Sequence, residues 1–199
     1  MAPRVRGFVR TGAAIAACTL IAACTPEPPT VVNTPTPTAT TPTASPTPTE
    51  SDIERQMWLD YEAAEAAYRA SIAEGDRLAR RGGARKATPA LKAVATGDYL
   101  KLQIEGLRSL KDRGERLEGG ITVAGVKPDG GHHPSRLRIV ACEDNSTWQI
   151  ISKDGKDVTP KNQPDYIQSL IVRRVAGSWK VADGSSQQVQ TLPANACKA

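Results

Sequence analysis

Few residues in this 199-residue chain are equipped for chemistry, and their spacing argues against most of it. The two histidines fall together in Gly130-Gly131-His132-His133-Pro134. Adjacent histidines in a turn point in different directions, and no Asp/Glu/His cluster of ligand spacing flanks them, so the pair predicts a surface turn and no metal site. Asp98 reads as a helix cap, and Asp144 as part of a Glu-Asp-Asn turn after Cys142. No nucleophile elbow, phosphate loop or dinucleotide fingerprint is present, and the glycine pairs 82–83, 119–120 and 130–131 lack the flanking pattern and read as turns. Neither catalytic residues nor a cofactor are expected. In a chain with 4% aromatics, Trp58, Tyr99, Trp148 and Trp179 stand out. They either line a pocket for a small apolar ligand or pack the core.

The remaining reactive groups are the thiols of Cys18, Cys24, Cys142 and Cys197. Arg4, Arg6 and Arg10 precede an uncharged run of about thirteen residues that contains Cys18, ends in Ala22-Ala23 and is followed by Cys24. That is the order of a secretory signal peptide, and the run is too short for a spanning helix, which needs roughly 20 residues. Leu20-Ile21-Ala22-Ala23-Cys24 resembles the lipobox of bacterial lipoproteins. The resemblance implies that the Cys24 sulfur receives a diacylglyceryl group and that the lipoprotein signal peptidase cuts between Ala23 and Cys24. Residues 1–23 are then the signal, and acyl chains of the palmitate type hold the protein to the outer face of the plasma membrane. With Cys18 removed and Cys24 acylated, Cys142 and Cys197 remain, and export favours a disulfide between them.

All 21 acids lie beyond Cys24, so the net charge of +5 falls to +2 once the three signal arginines are gone. A basic surface for nucleic acid is not expected. Thr25 to Glu50 holds 8 prolines and 10 threonines in 26 residues. Such a segment has little apolar surface to bury, and residues 24–50 read as a disordered tether that could reach roughly 80 Å in polyproline II form.

Residues 51–199 carry the folded domain. Ser51-Asp52-Ile53-Glu54 predicts a capping box. Ile53, Met57, Tyr61, Ala64, Tyr68 and Ile72 then trace one helical face as far as Gly75. Residues 77–86 read as a basic loop, Thr88-Pro89 opens a short second helix that Gly97 closes, and Asp98 caps a third. In the third, Tyr99, Leu102, Leu107 and Leu110 form the expected buried face, and Gly114 ends it. The period then changes to two: residues 121–124, 136–139, 148–151, 166–175 and 178–182 are strands separated by turns, which pair antiparallel. Arg136, Arg138, Arg173 and Arg174 would make a basic stripe on the outer sheet face.

Helices followed by a bent antiparallel sheet make an α+β arrangement. Several phrases strengthen a resemblance: Ala95-Thr96-Gly97-Asp98-Tyr99-Leu100, Leu117-Glu118-Gly119-Gly120-Ile121, Val140-Ala141-Cys142-Glu143-Asp144, Trp148 with Lys153-Asp154-Gly155-Lys156, Gly177-Ser178-Trp179-Lys180-Val181, and Cys197. Together they resemble the NTF2-like (SnoaL/ketosteroid-isomerase-like) fold, and in particular NTF2-like lipoproteins of high-GC Gram-positive bacteria. The resemblance implies a cone of N-terminal helices packed on a curved sheet of four to six strands, with an open sheet face of the kind such folds use for homodimers. Enzymes of this fold carry an acidic base and a Tyr/Asp pair inside the cone, for which Asp144, Asp98 and Tyr99 would be the residues to try. The sequence therefore predicts a non-enzymatic binding or interaction module, lipid-anchored outside the plasma membrane, with a protein or small apolar ligand as partner. A carrier or an isomerase-like enzyme using the cone is the alternative, and a surface lipoprotein of the kind prophages use to exclude a second infection is a third.

Overall fold

A computed structural model describes residues 49–197, so Ala23, Cys24 and nearly all of the tether lie outside the described residues. Helix α1 (Glu50–Arg80) is capped by Thr49, two residues before the expected Ser51: the Thr49 hydroxyl accepts from the Asp52 N–H, and the Asp52 carboxylate accepts from the Thr49 N–H. Thr49 offers the same hydroxyl as Ser51, and Asp52 stands three residues on from it, as the motif requires. Gly75 does not end α1. The helix runs another turn and a half, with Arg77 and Arg80 beside its C-terminal carbonyls, and so absorbs the first part of the expected basic loop.

Helix α2 (Pro89–Val94) begins as expected, with the Thr88 hydroxyl accepting from the Leu91 N–H at 3.1 Å. It ends at Ala95, and Gly97 opens α3 (Gly97–Arg113) instead of closing α2. Gly97 holds φ +56, and a Cβ there would lie 2.6 Å from the Ala182 carbonyl oxygen, so this is a glycine of close approach to the sheet. Asp98 is not the cap: Thr96 occupies that position without a side-chain bond, and Asp98 pairs with Lys101 in the first turn. Gly114 ends α3 in the left-handed conformation, as expected.

Six strands follow: β1 (Arg116–Glu118), β2 (Thr122–Pro128), β3 (Arg136–Asp144), β4 (Gln149–Ile151), β5 (Asp165–Val175) and β6 (Ser178–Val189). Four form an antiparallel sheet in the order β2-β3-β5-β6, and β1 pairs with β4 in a separate two-stranded ribbon. The sequence reading gave no strand at β1 and ended β6 at Ala182. The architecture is thus α+β, with helices packed against a four-stranded antiparallel sheet beside a two-stranded one. None of the described helices is long and apolar enough to cross a membrane.

The core lies between α1 and the inner sheet face. Ala64, Tyr68 and Ile72 of α1 meet Leu137, Ile139 and Ala141 of β3 and Leu170 and Val172 of β5. A second cluster, including Leu78, Leu91, Leu107, Leu110 and Leu117, joins the helices to β1. Leu102, expected on the buried face of α3, is 61% exposed, because α3 turns its 103/107/110 side inward. On the outer face Arg136 sits opposite Arg173, and Arg138 pairs with Asp129. Arg174 leaves that expected stripe and turns inward.

Two long-range fasteners close the fold. Cys142 and Cys197 form a disulfide with a Cα–Cα distance of 5.8 Å, spanning 55 residues. In the chain-entropy account such a loop stabilises by about 4 kcal/mol. The tail crosses β2 so closely that a Cβ on Gly125 would lie 2.4 Å from the Cys197 carbonyl oxygen. The other fastener is Asp60 of α1, 2% exposed. Its carboxylate accepts from Gln56 (3.0 Å), Trp179 (3.3 Å) and Arg174, and His132 Nε2 lies 2.9 Å away. The Arg174 guanidinium also lies over the Trp179 ring at 4.9 Å. His132 is therefore not the surface-turn residue expected; it ties the β2–β3 loop to α1, while His133 stays in the turn beside Ser135. Burial alone would push the Asp60 carboxyl up, but His132, Gln56, Trp179 and Arg174 together outweigh it and hold it below the ordinary range.

Removing this carboxylate leaves the partly exposed Arg174 and His132 without their acceptor, so Asp60→Ala is expected to cost about 1–3 kcal/mol at neutral pH. Because the folded value is depressed, that contribution is present above about pH 4 and fades as pH falls through the folded value. Urea unfolding at pH 7 checks this, and a loss under about 1 kcal/mol would remove Asp60 from the account of what closes the fold.

Candidate functional site: a cavity walled by carboxyls

Between α1, α3 and the inner sheet face lies a cavity of about 500 Å³. Each element contributes by its own periodicity. From α1, Asp76 follows Tyr68 and Ile72 at four-residue steps, so it stays on the inward stripe. From α3, Tyr99, Gln103 and Leu107 do the same. Along β3 the inward residues are Leu137, Ile139, Ala141 and then Glu143, so the alternation that builds the core carries a carboxyl into the cavity wall. Gln168 of β5 and Ser186 of β6 continue that polar patch, and Trp148 and Ile150 close the far side.

Glu143 is 5% exposed. Its Oε1 accepts from the Tyr68 hydroxyl and its Oε2 from Gln168 Nε2 at 2.8 Å, while Ser186 donates to Gln168 Oε1 at 2.6 Å and fixes that amide. Burial pushes the Glu143 carboxyl up, the Tyr68 and Gln168 bonds only partly offset it, and the charge of Asp76 adds to the rise. Asp76 Oδ2 accepts from the Ile121 N–H at 3.0 Å. Burial raises its carboxyl too, against the opposing pull of that bond and of Arg80. A Cβ on Gly120 would lie 2.6 Å from Asp76 Oδ2, so only glycine lets the loop approach this carboxyl.

The two tyrosines behave as fixed hydroxyls. Ser71 donates to the Tyr68 carbonyl, so Tyr99 donates to Ser71 Oγ at 3.0 Å while accepting from Gln103 at 3.1 Å. Burial pushes the Tyr99 hydroxyl up to about 12. Tyr68 is driven far up by burial and then by Glu143. Trp148 Nε1 is buried with no acceptor among the described residues, an orphan donor in a residue of the cavity wall.

The four aromatic candidates divide. Tyr99 and Trp148 line the cavity. Trp58 is half exposed on α1, its ring 6.5 Å from that of Tyr61, and Trp179 is buried in the core against Asp60. Asp98 is exposed and ion-paired outside the cavity, and Asp144 points away from the inner face, bonding the Ser146 N–H at 2.8 Å. The resemblance offered Asp144 as a residue to try, whereas the strand alternation through Leu137 and Ile139 turns its neighbour Glu143 inward. Asp76 was missed because the expected helix stopped at Gly75, one residue before it, whereas α1 runs on to Arg80. Among the described residues no group of three or more His, Cys, Asp or Glu is arranged to hold a metal ion.

No family model matches the chain, and no curated protein does. Among solved structures it is similar to the intermembrane space region of the chloroplast protein ARC6, at 14% identity and a TM-score of 0.40 over 63% of this chain and 97% of that one. It is also similar to a domain of unknown function with a cystatin-like fold from Nostoc punctiforme PCC 73102, at 14% identity and a TM-score of 0.29 over 73% and 82% of the two chains.

The raised carboxyls give a pH signature opposite to that of Asp60. An acid whose folded value lies above its unfolded one is cheapest to bury when protonated. Stability is therefore lost as pH rises past about 4.3, until the folded value is passed. Glu143→Gln removes that loss, so from pH 4 to pH 8 the variant is expected to gain steadily on the native chain. Denaturant unfolding of both proteins at the two pH values reads the difference, and two curves running parallel with pH would contradict a raised Glu143.

Proposed function

We propose that this chain is an exported lipoprotein whose NTF2-like domain holds a small, largely apolar molecule outside the plasma membrane and catalyses no reaction. The observation that carries the binding role is the cavity. At about 500 Å³ it is of the size that takes small ligands, its wall is mainly apolar, and a few polar groups are fixed within it. The NTF2-like reading rests on the order of helices and strands together with the phrases quoted above. The anchor rests on the lipobox at Leu20-Ile21-Ala22-Ala23-Cys24. Two acyl chains at Cys24 would hold the protein permanently, and the Thr/Pro-rich tether would let the domain sample the wall layer.

A second reading, an isomerase or dehydratase, is favoured by one observation: Asp76 and Glu143 both line the cavity with carboxyls held above their ordinary range, as a general base working near neutral pH needs. Against it, both Glu143 oxygens already accept hydrogen bonds. Exchange of the α-proton of an enolisable ketone in deuterated water, lost in Glu143→Gln, would support it.

For the binding role, native mass spectrometry of the purified full chain is expected to show a co-purifying small molecule. Gly106 lines the cavity, and a Cβ there meets nothing within 4 Å, so Gly106→Trp adds a large side chain at the wall from a position with room at its Cβ. That variant should bind at least about tenfold more weakly. Retention of the molecule at native affinity would show that it sits elsewhere. For the anchor, Cys24→Ala should abolish incorporation of a palmitate analogue and move the protein out of the lipid-modified fraction. Labelling of the variant equal to that of the native chain would rule out Cys24 as the acceptor.

A further inference from the structure

We infer that the molecule held in this cavity is an organic cation, an amine or quaternary ammonium on an apolar body, with its charge placed between Asp76 and Glu143. The inference rests on the cavity being a ligand site, and it follows from a count of charges. Two acids stand in the wall, Asp76 from α1 and Glu143 from β3. The one base in the wall is Arg113 at the end of α3, and it is already paired with Glu115 at 2.7 Å and bonded to Ser109. Arg80 of α1, nearest to Asp76, donates to the Gly119 carbonyl at 2.8 Å. Arg69, further along α1, is held by Glu65 and the Val123 carbonyl. From the remaining elements come neutral groups: Tyr68, Tyr99, Gln168, Ser186, and Tyr166, which is the cross-strand partner of Glu143.

The contrast with Asp60 is instructive. That carboxylate, equally buried, draws in an arginine, a histidine, a glutamine and a tryptophan. The two cavity acids have amide, hydroxyl and backbone donors but no cation in contact. A neutral ligand would leave them as they are, an anion would be repelled, and a cation supplies the missing counter-charge. The two aromatic residues of the wall, Tyr99 and Trp148, suit the same guest, since ring faces attract alkylammonium groups. Burial raises both carboxyls, so a cation that needs them ionised competes with protons and should bind more tightly as pH rises.

Three probes of one length test this: decyltrimethylammonium, decanol and decanoate. Each is titrated calorimetrically into the full-length chain carrying Cys24→Ser, which needs no detergent. At pH 8 the cation should bind at least about tenfold more tightly than decanol, and decanoate most weakly. The preference for the cation should shrink toward unity by pH 4, and the heat at intermediate pH should vary with the buffer's ionisation enthalpy because protons are released. Asp76→Asn with Glu143→Gln should abolish the preference while decanol binding persists. The pH series on the native cavity stands even if that double variant does not fold. Decanol or decanoate binding as tightly as the cation at pH 8 would overturn the inference and leave the cavity as a ligand site. Failure of all three probes to bind would overturn both.

Discussion

The structure depends on how α1 is seated across the inner sheet face, and the contact that sets this is Tyr68 against Glu143. Tyr68 is fully buried midway along the helix, and its hydroxyl donates to the carboxyl of an inward residue of β3, 75 positions away. A hydroxyl and a carboxyl removed from water must find each other or cost several kcal/mol. Once they do, the register between helix and strand is fixed: Ala64 and Ile72 fall over the apolar part of the sheet, and Asp76 is carried past it into the cavity. The same contact sets where the apolar core stops and the cavity begins.

Asp60 and Asp76 lie toward opposite ends of the inward stripe of α1, and Asp60 on one side and Asp76 with Glu143 of β3 on the other have been given opposite treatments. At Asp60 the fold supplies positive charge and pulls three elements together, as a structural carboxylate should. At the cavity, burial is left to oppose ionisation, although a neutral amide at position 143 would still accept from Tyr68 without that penalty. Stability alone gives no reason to keep charge there, since apolar residues of similar volume commonly replace buried ions at no loss. Perturbed acids that face a cavity are more often kept for what enters it.

Much of this was legible from the residues. The helices-then-strands order, the disulfide, the Thr88 cap, the Gly114 stop and most turns follow from local signals that tertiary structure leaves alone. The failures were of two kinds. Gly75 and Gly97 were read as punctuation, but each is a site of close approach, Gly75 lying near Gln103 of α3 and Gly97 against Ala182 of β6. A glycine that ends a helix and one that lets another element come near are identical in sequence. The other kind is distance: His132 and Asp60 are 72 residues apart, and Tyr68 and Glu143 are 75 apart. No spacing rule joins such pairs, although strand alternation alone could have marked Glu143 as inward.

That asymmetry explains why the site was harder to read than the fold. Secondary structure here is set by neighbours within four residues, so the sequence displays it directly. The cavity is set by what is absent among the described residues, namely side chains large enough to fill the space between α3 and the sheet, and a cation in contact with Asp76 or Glu143. Gly106, Gly184 and Ser186 along its wall are small. A chain with so few aromatic rings still places two of them, Tyr99 and Trp148, on a space it leaves unfilled. Two buried carboxyls without a cation in contact, small residues and aromatic walls converge on one cavity, and folding needs an acceptor for Tyr68 there but no charge. They become coherent together only if the cavity is built around a guest that brings its own charge.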